Sequence, residues 1–546
     1  MIVQGLPIGN DQFQIVREKN YYYDDKTLMI KEFLDLQDTA ALITRPRRFG
    51  KTLNMTMLRE FFDITKDSHS IFEGLKIMDT PCAVQLNSKP VLYFSFKDCA
   101  VTTSTDMLDK ISREVFKEYA RYYMEFHQHL DSNNPYTVIF YRTYEQLRDH
   151  TVSVNDLAAS IEILIYIIFH YYHVAPILLI DEYDQPILSS YEHHYHEELK
   201  DFFASLYGSA LKSNQYIDCA LLTGIQRVAK ESIFSKLNNI QVYTVLDKAY
   251  SGYFGLTASE TEMLLQTYNL VLNQQVKEMY DGYTFGGVDI YNPWSILMYA
   301  KRKNLENYWI NTSTNFLIRQ ALETATSSFM NRFEKLIEVG SVRVGINLET
   351  SFLELKDEYT LWGLLINSGY LKVMTLEYIP TPIATVAIPN KEVSSEFQSL
   401  VAEYTHISDQ SLTVMFSYLT NGNIEEFFNI YKEIVLNCTS YYDAKENAYH
   451  MLFLGMCISL RGVYMVSSNI ESGHGRSDIT LKSFNDKHPN VIIEFKQGDD
   501  IAKLKEDALN QILDLKYYAS LTGKTICVGL AHNKKQCDIA YTILDI

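Results

Sequence analysis

The sequence LITRPRRFGKTLN, at Leu42–Asn54, decides the fold of the first part of the chain. Its apolar start continues a run from Ala40 and predicts a buried strand, and the residues after Thr52 have the spacing of an amphipathic helix. Between them lies a basic turn that ends in Gly50-Lys51-Thr52. A strand, a Gly-Lys-Thr loop and a helix in this order are typical of a phosphate-binding loop.

Each residue of this turn supplies a different part of a phosphate site. Gly50 lets the backbone pass close to a phosphate, and the start of the helix points free amides and its positive dipole end at the same place. Lys51 supplies a point charge, and the hydroxyl of Thr52 is suited to hold Mg²⁺. The sequence therefore predicts a nucleotide-binding loop whose further contacts are Arg47, Arg48 and Phe49.

The loop departs from the usual pattern at one position. That pattern has a glycine five residues before Gly50, where this chain has Arg45. We expect Arg45, Arg47 and Arg48 either to contact phosphates or to anchor the loop to the acidic residues Asp181 and Glu182. The alternative is a basic surface turn beside a core strand, but it does not explain why a proline and three arginines crowd the turn.

A second apolar run, Ile177–Ile180, leads directly into acidic residues. Four consecutive aliphatic residues predict a strand that is buried on both faces of a parallel sheet. Ligands of open α/β sheets bind at the carboxyl ends of such strands. We therefore expect Asp181 to hold Mg²⁺ through water and Glu182 to orient or deprotonate the attacking water.

A third strand is predicted at Ile217–Thr223, and polar residues follow it. A polar side chain at the end of a core strand can contact the γ-phosphate, so Thr223 and Arg227 are further candidates. The aromatic run Tyr21–Tyr23 precedes the phosphate loop. It predicts a packing cluster, with the wall of an adenine pocket as the alternative.

Length and composition set bounds on the organisation and the function. A chain of 546 residues is too long for one core, so two to four domains are expected. The hydrophobic fraction of 47% and the charged fraction of 21% are those of a folded protein. A net charge of −18 argues against binding nucleic acid along the whole length. From about residue 431 onward, however, the charges are nearly balanced.

The sequence favours a cytoplasmic location without a membrane partner. The seven cysteines lack CxxC spacing, and the N-terminus does not have the pattern of a signal peptide. The most apolar stretch, Ile161–Ile180, contains one glutamate, two histidines and a proline, so it is predicted to divide into a helix and a strand.

Three regions are predicted along the chain. Residues 1–280 form a P-loop domain with a parallel sheet and a helical lid. Residues 281–430 form a mostly helical linking region whose aromatic residues are expected to pack in the core. Residues 431–546 carry a separate chemistry on a second α/β fold.

The second chemistry depends on three charged residues in two predicted strands. Glu494 and Lys496 are two apart in the strand Val491–Lys496, so they point to the same face. If Asp478 begins the neighbouring strand, two carboxylates and one lysine converge. Such a set suits one or two divalent ions, with an ammonium group that stabilises charge. The alternative is an exposed salt-bridged hairpin, with Glu494 and Lys496 as surface residues of an edge strand.

The motifs taken together resemble a known family. LPIGNDQF, YYYDDKT, LITRPRRFGKTLN, LLIDEYDQP, LLTGIQRVAKESIFSKLNN, YDGYTFGG, YNPWSILMY and YWINTS occur in this order from Leu6. Their combination resembles the bacterial AAA-ATPase-like family with an appended PD-(D/E)xK nuclease domain, in which RPRRFGK replaces the glycine-started loop. The resemblance implies a restriction-endonuclease-like fold at the C-terminus. It also implies that Lys51 and Thr52 bind the phosphate of ATP and Mg²⁺, and that Asp181 and Glu182 form the second acidic motif.

The same resemblance implies further residues and partners. Glu446 would be an additional metal-binding carboxylate beside Asp478 and Glu494, and His450 could join it. Gln511 and either Tyr517 or Tyr518 would follow on a helix. The expected cofactors are ATP and Mg²⁺, with Mn²⁺ as an alternative at the nuclease site.

The expected substrate is nucleic acid, with DNA favoured over RNA, and nucleotide state is expected to gate the nuclease. A homo-oligomer is considered because related ATPases usually take an arginine from a neighbouring subunit. The alternative function is an NTP-dependent switch with an inactive nuclease fold.

Overall fold

A computed structural model provides the structure of the chain. It describes residues 4–126, 129–130, 134–228, 240–309, 326–350, 357–378, 381–395, 409–438, 453, 456–457, 460, 463–473, 475–485 and 487–546. These residues form two compact units. The first comprises Met1–Thr324 and Gly345–Ala384, and the second comprises Ala325–Val344 and Thr385–Ile546.

The first unit is organised around a five-stranded sheet in which every neighbouring pair is parallel. Its strand order is β2-β3-β4-β1-β6. The aliphatic residues of β1 and β3 are buried along the whole of each strand, as a sheet covered on both faces requires. The predicted α/β fold with a parallel sheet is confirmed. These strands are β1 Ala40–Thr44, β2 Val91–Ser95, β3 Ile177–Asp181, β4 Cys219–Gly224 and β6 Ile240–Tyr243.

The order of these strands brings the predicted site residues to one edge of the sheet. Strand β4 lies between β1, which leads into the phosphate loop, and β3, which ends in the acidic residues. In the register, Ile43 is opposite Thr223, and Ile180 is opposite Leu222. Thr223 therefore lies at the same level as Asp181, between the loop and the acidic residues.

Helices surround this sheet. Those before β3 are α1 Phe13–Glu18, α2 Leu28–Leu36, α3 Lys51–Phe62, α4 His69–Phe72, α5 Ser104–Phe126, α6 Pro135–Arg148 and α7 Val154–Tyr172. Those after it are α8 Gln185–Glu192, α9 His196–Leu211, α10 Ala258–Thr267, α11 Gln274–Tyr280 and α12 Pro293–Arg302, and a further helix covers Glu358–Asn367. Two short 3-10 helices cover Lys76–Asp79 and Pro81–Gln85.

The apolar stretch Ile161–Ile180 divides as predicted into a helix, α7, and a strand, β3. Among the described helices, α7 alone is long and apolar enough to cross a membrane. In this structure, however, it packs against α5, α6 and α9. Its residues Ile161, Leu164 and Ile168 are fully buried, which is the arrangement of a core helix.

A capping box lies at the start of α10, in the segment after the sheet. The side chain of Thr257 accepts from the backbone N–H of Glu260, and the side chain of Glu260 accepts in return from the N–H of Thr257. A small sheet follows in the order β7-β9-β8, formed by β7 Leu256–Thr257, β8 Tyr283–Phe285 and β9 Val288–Tyr291. A parallel pair joins β5 Arg227–Val228 to β11 Glu349–Thr350.

Residues 281–430 contain both helices and strands and contribute to both units. The chain passes between the units within β10 Ser341–Gly345 and β13 Pro382–Ala387. The domain boundaries at 280 and 430 therefore stay a prediction. The other elements here are β12 Lys372–Tyr378 and the helices Ser327–Val339, Asp409–Thr420 and Ile424–Cys438.

The second unit contains a five-stranded mixed sheet in the order β14-β15-β16-β17-β18. Strands β16 and β17 are parallel, and the other pairs are antiparallel. The helix Ile501–Asp514 connects the two parallel strands and packs against them. The strands are β14 Tyr464–Ser472, β15 Gly475–Ser483, β16 Asn490–Gln497, β17 Lys524–Asn533 and β18 Gln536–Asp545.

Glycine is required at the end of β4. A Cβ atom on Gly224 would lie 2.7 Å from the Oδ1 atom of Asp184 and 2.7 Å from the Cε1 atom of Tyr183. We expect Gly224→Ala to lower the free energy of unfolding by about 1–3 kcal/mol, because the added methyl group overpacks a buried site. Urea denaturation of the full chain measures this loss.

The matched control is Gly208→Ala in α9, where a Cβ atom would meet no other atom within 4 Å. Alanine replaces glycine inside a helix there, so stability should rise by roughly 0.5–1 kcal/mol. Equal effects of the two substitutions would contradict the packing described at the end of β4.

Candidate functional site

The loop between β1 and α3 folds around the amino end of α3. Gly50 has a φ of 83°, in the left-handed region that favours glycine, and its carbonyl accepts from the backbone N–H of Asn54. Lys51 is buried, and its ammonium group donates to the carbonyl oxygens of Arg45 at 3.0 Å and Pro46 at 2.9 Å. Burial lowers the pKa of Lys51. The ammonium group of Lys51 is therefore bound to its own turn, and it would have to leave these two carbonyl oxygens to contact a phosphate.

The carboxylate of Asp181 joins three elements of the site. Its Oδ2 atom accepts from the hydroxyl of Thr52 at 2.6 Å, and its Oδ1 atom accepts from the hydroxyl of Thr223 at 2.6 Å. Asp181 and Thr223 are fully buried. Burial raises the pKa of Asp181, and the two hydroxyl donors act in the opposite direction. The structure therefore brings together three residues that were separate candidates in the sequence.

Glu182 follows in a left-handed backbone conformation, with a φ of 52°. A non-glycine residue rarely adopts this region, and such strain is found preferentially at functional sites. Burial raises the pKa of Glu182, and the neighbouring charge of Asp181 adds to the effect. Glu182 lines the same cavity as Lys51 and Thr52, which is the position that its predicted role requires.

The three arginines of the loop have different roles. Arg45 is fully buried and donates to the carbonyl oxygens of Thr44 at 2.8 Å and Tyr243 at 3.1 Å. Its guanidinium also lies over the rings of Phe254 and Phe285, at 5.4 and 5.3 Å from the centroids. Arg45 therefore ties the ends of β1 and β6 together inside the core. Neither role proposed for it from the sequence is the one found.

Arg47 and Arg48 instead line the cavity that Lys51, Thr52 and Glu182 also line, which is named the phosphate cavity after its predicted ligand. Arg47 donates to the Oε1 atom of Gln185 at 3.3 Å, and Glu182 supplies a favourable charge nearby. The guanidinium of Arg48 lies 4.2 Å from the centroid of the Trp294 ring. Both arginines are thus at the cavity, and Arg47 lies beside the acidic residues as well.

Two other predicted contacts, Phe49 and Arg227, are not among the residues that line this cavity. The ring of Phe49 is fully buried and packs on Tyr283 at 5.0 Å and on Phe285 at 5.2 Å. Phe49 is therefore primarily a residue of the hydrophobic core. Arg227 lies in β5, which pairs with Glu349–Thr350 rather than continuing the central sheet.

The cavity has a volume of about 550 Å³, and sequence reasoning missed part of its wall. Ile8–Asp11 and Lys97 form one side, and Pro293 and Trp294 form another. Trp309 is buried in the core as expected, whereas Trp294 also faces this cavity. The motifs LPIGNDQF and YNPWSILMY contain most of these residues, and their presence among the family motifs was the available signal.

In the second unit, Asp478 and Glu494 meet where β15 and β16 separate. The backbone N–H of Phe495 donates to the Oδ2 atom of Asp478 at 2.7 Å, and the backbone N–H of Asp478 donates to the Oε2 atom of Glu494 at 3.3 Å. The paired register ends one residue away, at Ile479 and Ile493. The two carboxylates therefore replace ladder bonds and hold both strands at the site.

Lys496 and the following helix complete this cluster. The Nζ atom of Lys496 lies 3.5 Å from the Oε1 atom of Glu494. The side-chain amide of Gln511 donates to the same Oε1 atom and to the hydroxyl of Tyr517 at 2.9 Å. Tyr517 lies beyond the end of the helix at Asp514, so helical spacing did not describe its position.

The electrostatics of this cluster fit a bound cation. Glu494 is 3% exposed, and burial together with the charge of Asp478 raises its pKa to about 7. The two close carboxylates supply the oxygen ligands that Mg²⁺ and Mn²⁺ prefer, and the partly exposed Lys496 lies beside them. Within the described residues, no group of three or more His, Cys, Asp or Glu side chains could hold a metal ion. The predicted Glu446 and His450 lie outside the described residues.

Comparison with known families identifies both domains. Residues 7–234 match a family model described as "Predicted AAA-ATPase", and residues 444–541 match the model of the PD-(D/E)XK nuclease superfamily. The chain combines an AAA-ATPase-like domain with a PD-(D/E)XK nuclease superfamily domain. The resemblance stated from the motifs is thus confirmed.

One curated relative of the chain is an "Uncharacterized protein in vnfD 5'region" of Azotobacter chroococcum mcd 1. It is 27% identical over 409 residues, which are 73% of this chain and 70% of the relative. Its name states no activity.

A further residue of the AAA-ATPase-like domain, Asp184, positions the backbone beside the site. Its Oδ2 atom accepts from the backbone N–H groups of Ile225 at 2.8 Å and Gln226 at 2.9 Å, and the side chain is buried. These bonds hold the turn that follows Thr223. The acidic motif therefore contains a structural residue next to the two predicted site residues.

We expect Asp184→Ala to lower the free energy of unfolding by about 2–5 kcal/mol, because it leaves two buried amides without an acceptor. Asp184→Asn keeps one oxygen and should lose less. Urea denaturation measures both. The control Asp201→Ala, at an exposed position of α9, should stay within about 0.5 kcal/mol of the wild type. Equal losses for the alanine and asparagine variants at 184 would contradict this arrangement.

Proposed function

We propose that the AAA-ATPase-like domain binds ATP with Mg²⁺ and hydrolyses it. The observation that supports this proposal is the bridge from Thr52 through Asp181 to Thr223, at the start of a helix and beside a buried lysine. Hydroxyl and carboxylate oxygens at this position suit Mg²⁺, which neutralises phosphate charge when bound. Buried cations and free helix amides suit the phosphates themselves.

In this proposal each residue acts on a different part of the nucleotide. Lys51 exchanges the carbonyl oxygens of Arg45 and Pro46 for phosphate oxygens, and Arg47 and Arg48 face the same cavity. Thr52 and Asp181 hold the metal. Glu182 accepts the proton of the attacking water or orients it; its raised pKa reflects a carboxylate that gains from accepting a proton.

Thr223 and Arg227 remain candidates for contact with the γ-phosphate. Thr223 lies next to Asp181 and is favoured by its position. An arginine from a neighbouring copy in a homo-oligomer is the alternative to Arg227.

Lys51→Ala should lower ATP turnover at least about 100-fold, because a positive charge that meets the transferring phosphoryl group is lost. Release of inorganic phosphate by the full-length protein with Mg²⁺ measures this. The matched control is Lys110→Ala, at an exposed position of α5. Unchanged turnover in Lys51→Ala would rule out the phosphate loop as the hydrolytic site.

We propose that the second site cleaves phosphodiester bonds of nucleic acid, with DNA favoured over RNA, and that nucleotide state regulates this cleavage. The observation that supports it is the cluster of Asp478, Glu494 and Lys496 where β15 and β16 separate, with a carboxylate whose charge is poorly neutralised. Asp478 and Glu494 would hold Mg²⁺ or Mn²⁺, which activates water and stabilises developing charge. Lys496 would stabilise negative charge at the phosphate, and Glu446 would add a ligand. A cytoplasmic location is proposed with this function.

Cleavage should require Asp478. We expect the wild-type protein with Mg²⁺ or Mn²⁺ to cut linear, circular or single-stranded nucleic acid, and Asp478→Ala to fall to the background of the protein-free reaction, because a metal ligand is lost. Gel assays with and without ATP measure both cleavage and its regulation.

The matched control is Asp514→Ala, at an exposed position near the end of the nuclease helix. If the wild type cuts nothing under any condition, or if Asp478→Ala cuts equally well, the nuclease proposal fails. The remaining function would be an NTP-dependent switch.

A further inference from the structure

A second, smaller cavity adjoins the phosphate cavity of the AAA-ATPase-like domain. We propose that it holds the base of the nucleotide and that Asp24 selects adenine by accepting a hydrogen bond from its exocyclic amine. This inference rests on the proposed binding of ATP and adds the cavity and the residue that would select its base.

The position of the cavity follows from the loop. Gly50 and Leu53, at the start of α3, line both cavities, and so do Pro7, Pro293 and Leu297. A nucleotide whose phosphates lie against the start of α3 extends its sugar and base away from Lys51. The smaller cavity shares these wall residues with the larger one and lies where the base of such a nucleotide would bind.

The size and the walls of the cavity suit a flat aromatic ring. Its volume is about 90 Å³, which at roughly 10–15 Å³ for each water-sized sphere accommodates six to nine such spheres. The purine ring system has nine atoms, which is the upper end of this range. Leu256 and Leu264 supply apolar surface, and Tyr22 and Tyr23 supply rings. Base stacking on such walls is favourable but does not distinguish one base from another.

Two of the polar groups at the cavity are held by other contacts. The ammonium group of Lys26 donates to the Gly252 carbonyl at 2.8 Å and to the Oε2 atom of Glu260 at 2.6 Å. The side-chain amide of Asn54 donates to the Tyr253 carbonyl at 2.9 Å. These contacts connect the loop and the segment before it to the start of α10. They also direct donors away from the base.

The carboxylate of Asp24 differs from these groups because it retains capacity to accept. The hydroxyl of Tyr22 donates to its Oδ1 atom at 3.2 Å, and no other described residue donates to this carboxylate. A carboxylate has about four lone-pair positions. Burial, with the charge of Glu260, raises the pKa of Asp24 to about 7, so a further donor would stabilise the charged form.

An acceptor at this place discriminates between purines. The exocyclic amine of adenine donates to a carboxylate, whereas guanine and hypoxanthine carry an oxygen at the same ring position. Two acceptors facing each other repel, and those bases would have to turn in the cavity to offer an N–H group. The chemistry of Asp24 therefore favours adenine among bases of this size.

The test compares nucleotides that share one triphosphate. For the full-length protein with Mg²⁺, we expect ATP to bind about 10- to 100-fold more tightly than ITP or GTP, the range for one hydrogen bond to a charged group. Asp24→Asn keeps the shape but adds a donor, so the preference for ATP over ITP should fall about tenfold or more. Isothermal titration calorimetry measures each Kd.

The control is Asp35→Asn, in the exposed ion pair of Asp35 with Lys31 on α2. It should keep the wild-type preference, and thermal unfolding of all variants should show that they are folded. Equal affinity for ATP, ITP and GTP, a preference for GTP, or an unchanged preference in Asp24→Asn would overturn the assignment of Asp24 while nucleotide binding stands. If no triphosphate binds, or if Lys51→Ala binds ATP as the wild type does, the proposed function itself fails, and the inference fails with it.

Discussion

Two hydrogen bonds to one carboxylate hold the first site together. Asp181 accepts from Thr52, at the beginning of α3, and from Thr223, at the end of β4, both at 2.6 Å. The three residues come from three separate elements, and all of them lie at the carboxyl edge of the sheet. A change in any one of these groups is thus transmitted directly to the other two. The arrangement is suited to a site in which a metal and a phosphate are sensed together.

The arginine at position 45 explains how the loop does without its usual first glycine. A glycine there allows the backbone to turn tightly around phosphate, whereas Arg45 sends its side chain into the core. There its guanidinium donates hydrogen bonds to the carbonyl groups of Thr44 and Tyr243 and lies over the rings of Phe254 and Phe285. Burial lowers the pKa of Arg45 to about 10, which leaves it charged at neutral pH. The side chain of Arg45 thus stabilises the loop through contacts in the core, whereas Arg47 and Arg48 line the cavity.

In the second site, too, carboxylates that accept hydrogen bonds join separate elements, here in the mixed sheet of the second unit. Asp478 and Glu494 each accept from the backbone of the opposite strand, and Gln511 holds Glu494 from the helix. Hydrogen bonds to the charged form favour it, while burial and the neighbouring carboxylate oppose it. For Glu494, burial and the charge of Asp478 outweigh the hydrogen bonds, and its pKa rises to about 7 as a result. Such a pair is preorganised for a cation at little further cost in ordering.

The sequence by itself determined the local elements and the chemical groups. The strand, loop and helix around Lys51 follow from periodicity, and so does the buried strand that ends at Asp181, because the signals lie within a few residues of each other. The shared face of Glu494 and Lys496 follows from the alternation of a strand, and their convergence with Asp478 needed only the neighbouring strand that was predicted.

Only the tertiary structure decided which distant groups meet. The insertion of β4 between β1 and β3 places Thr223 beside Asp181, and no local pattern encodes strand order. The burial of Arg45, the position of Trp294 over Arg48, and the contact of Tyr517 with Gln511 likewise depend on segments far apart in the chain or beyond a helix end. The physical reason is that side-chain chemistry is set by each residue, whereas a binding site is set by packing among elements that the sequence does not place next to one another.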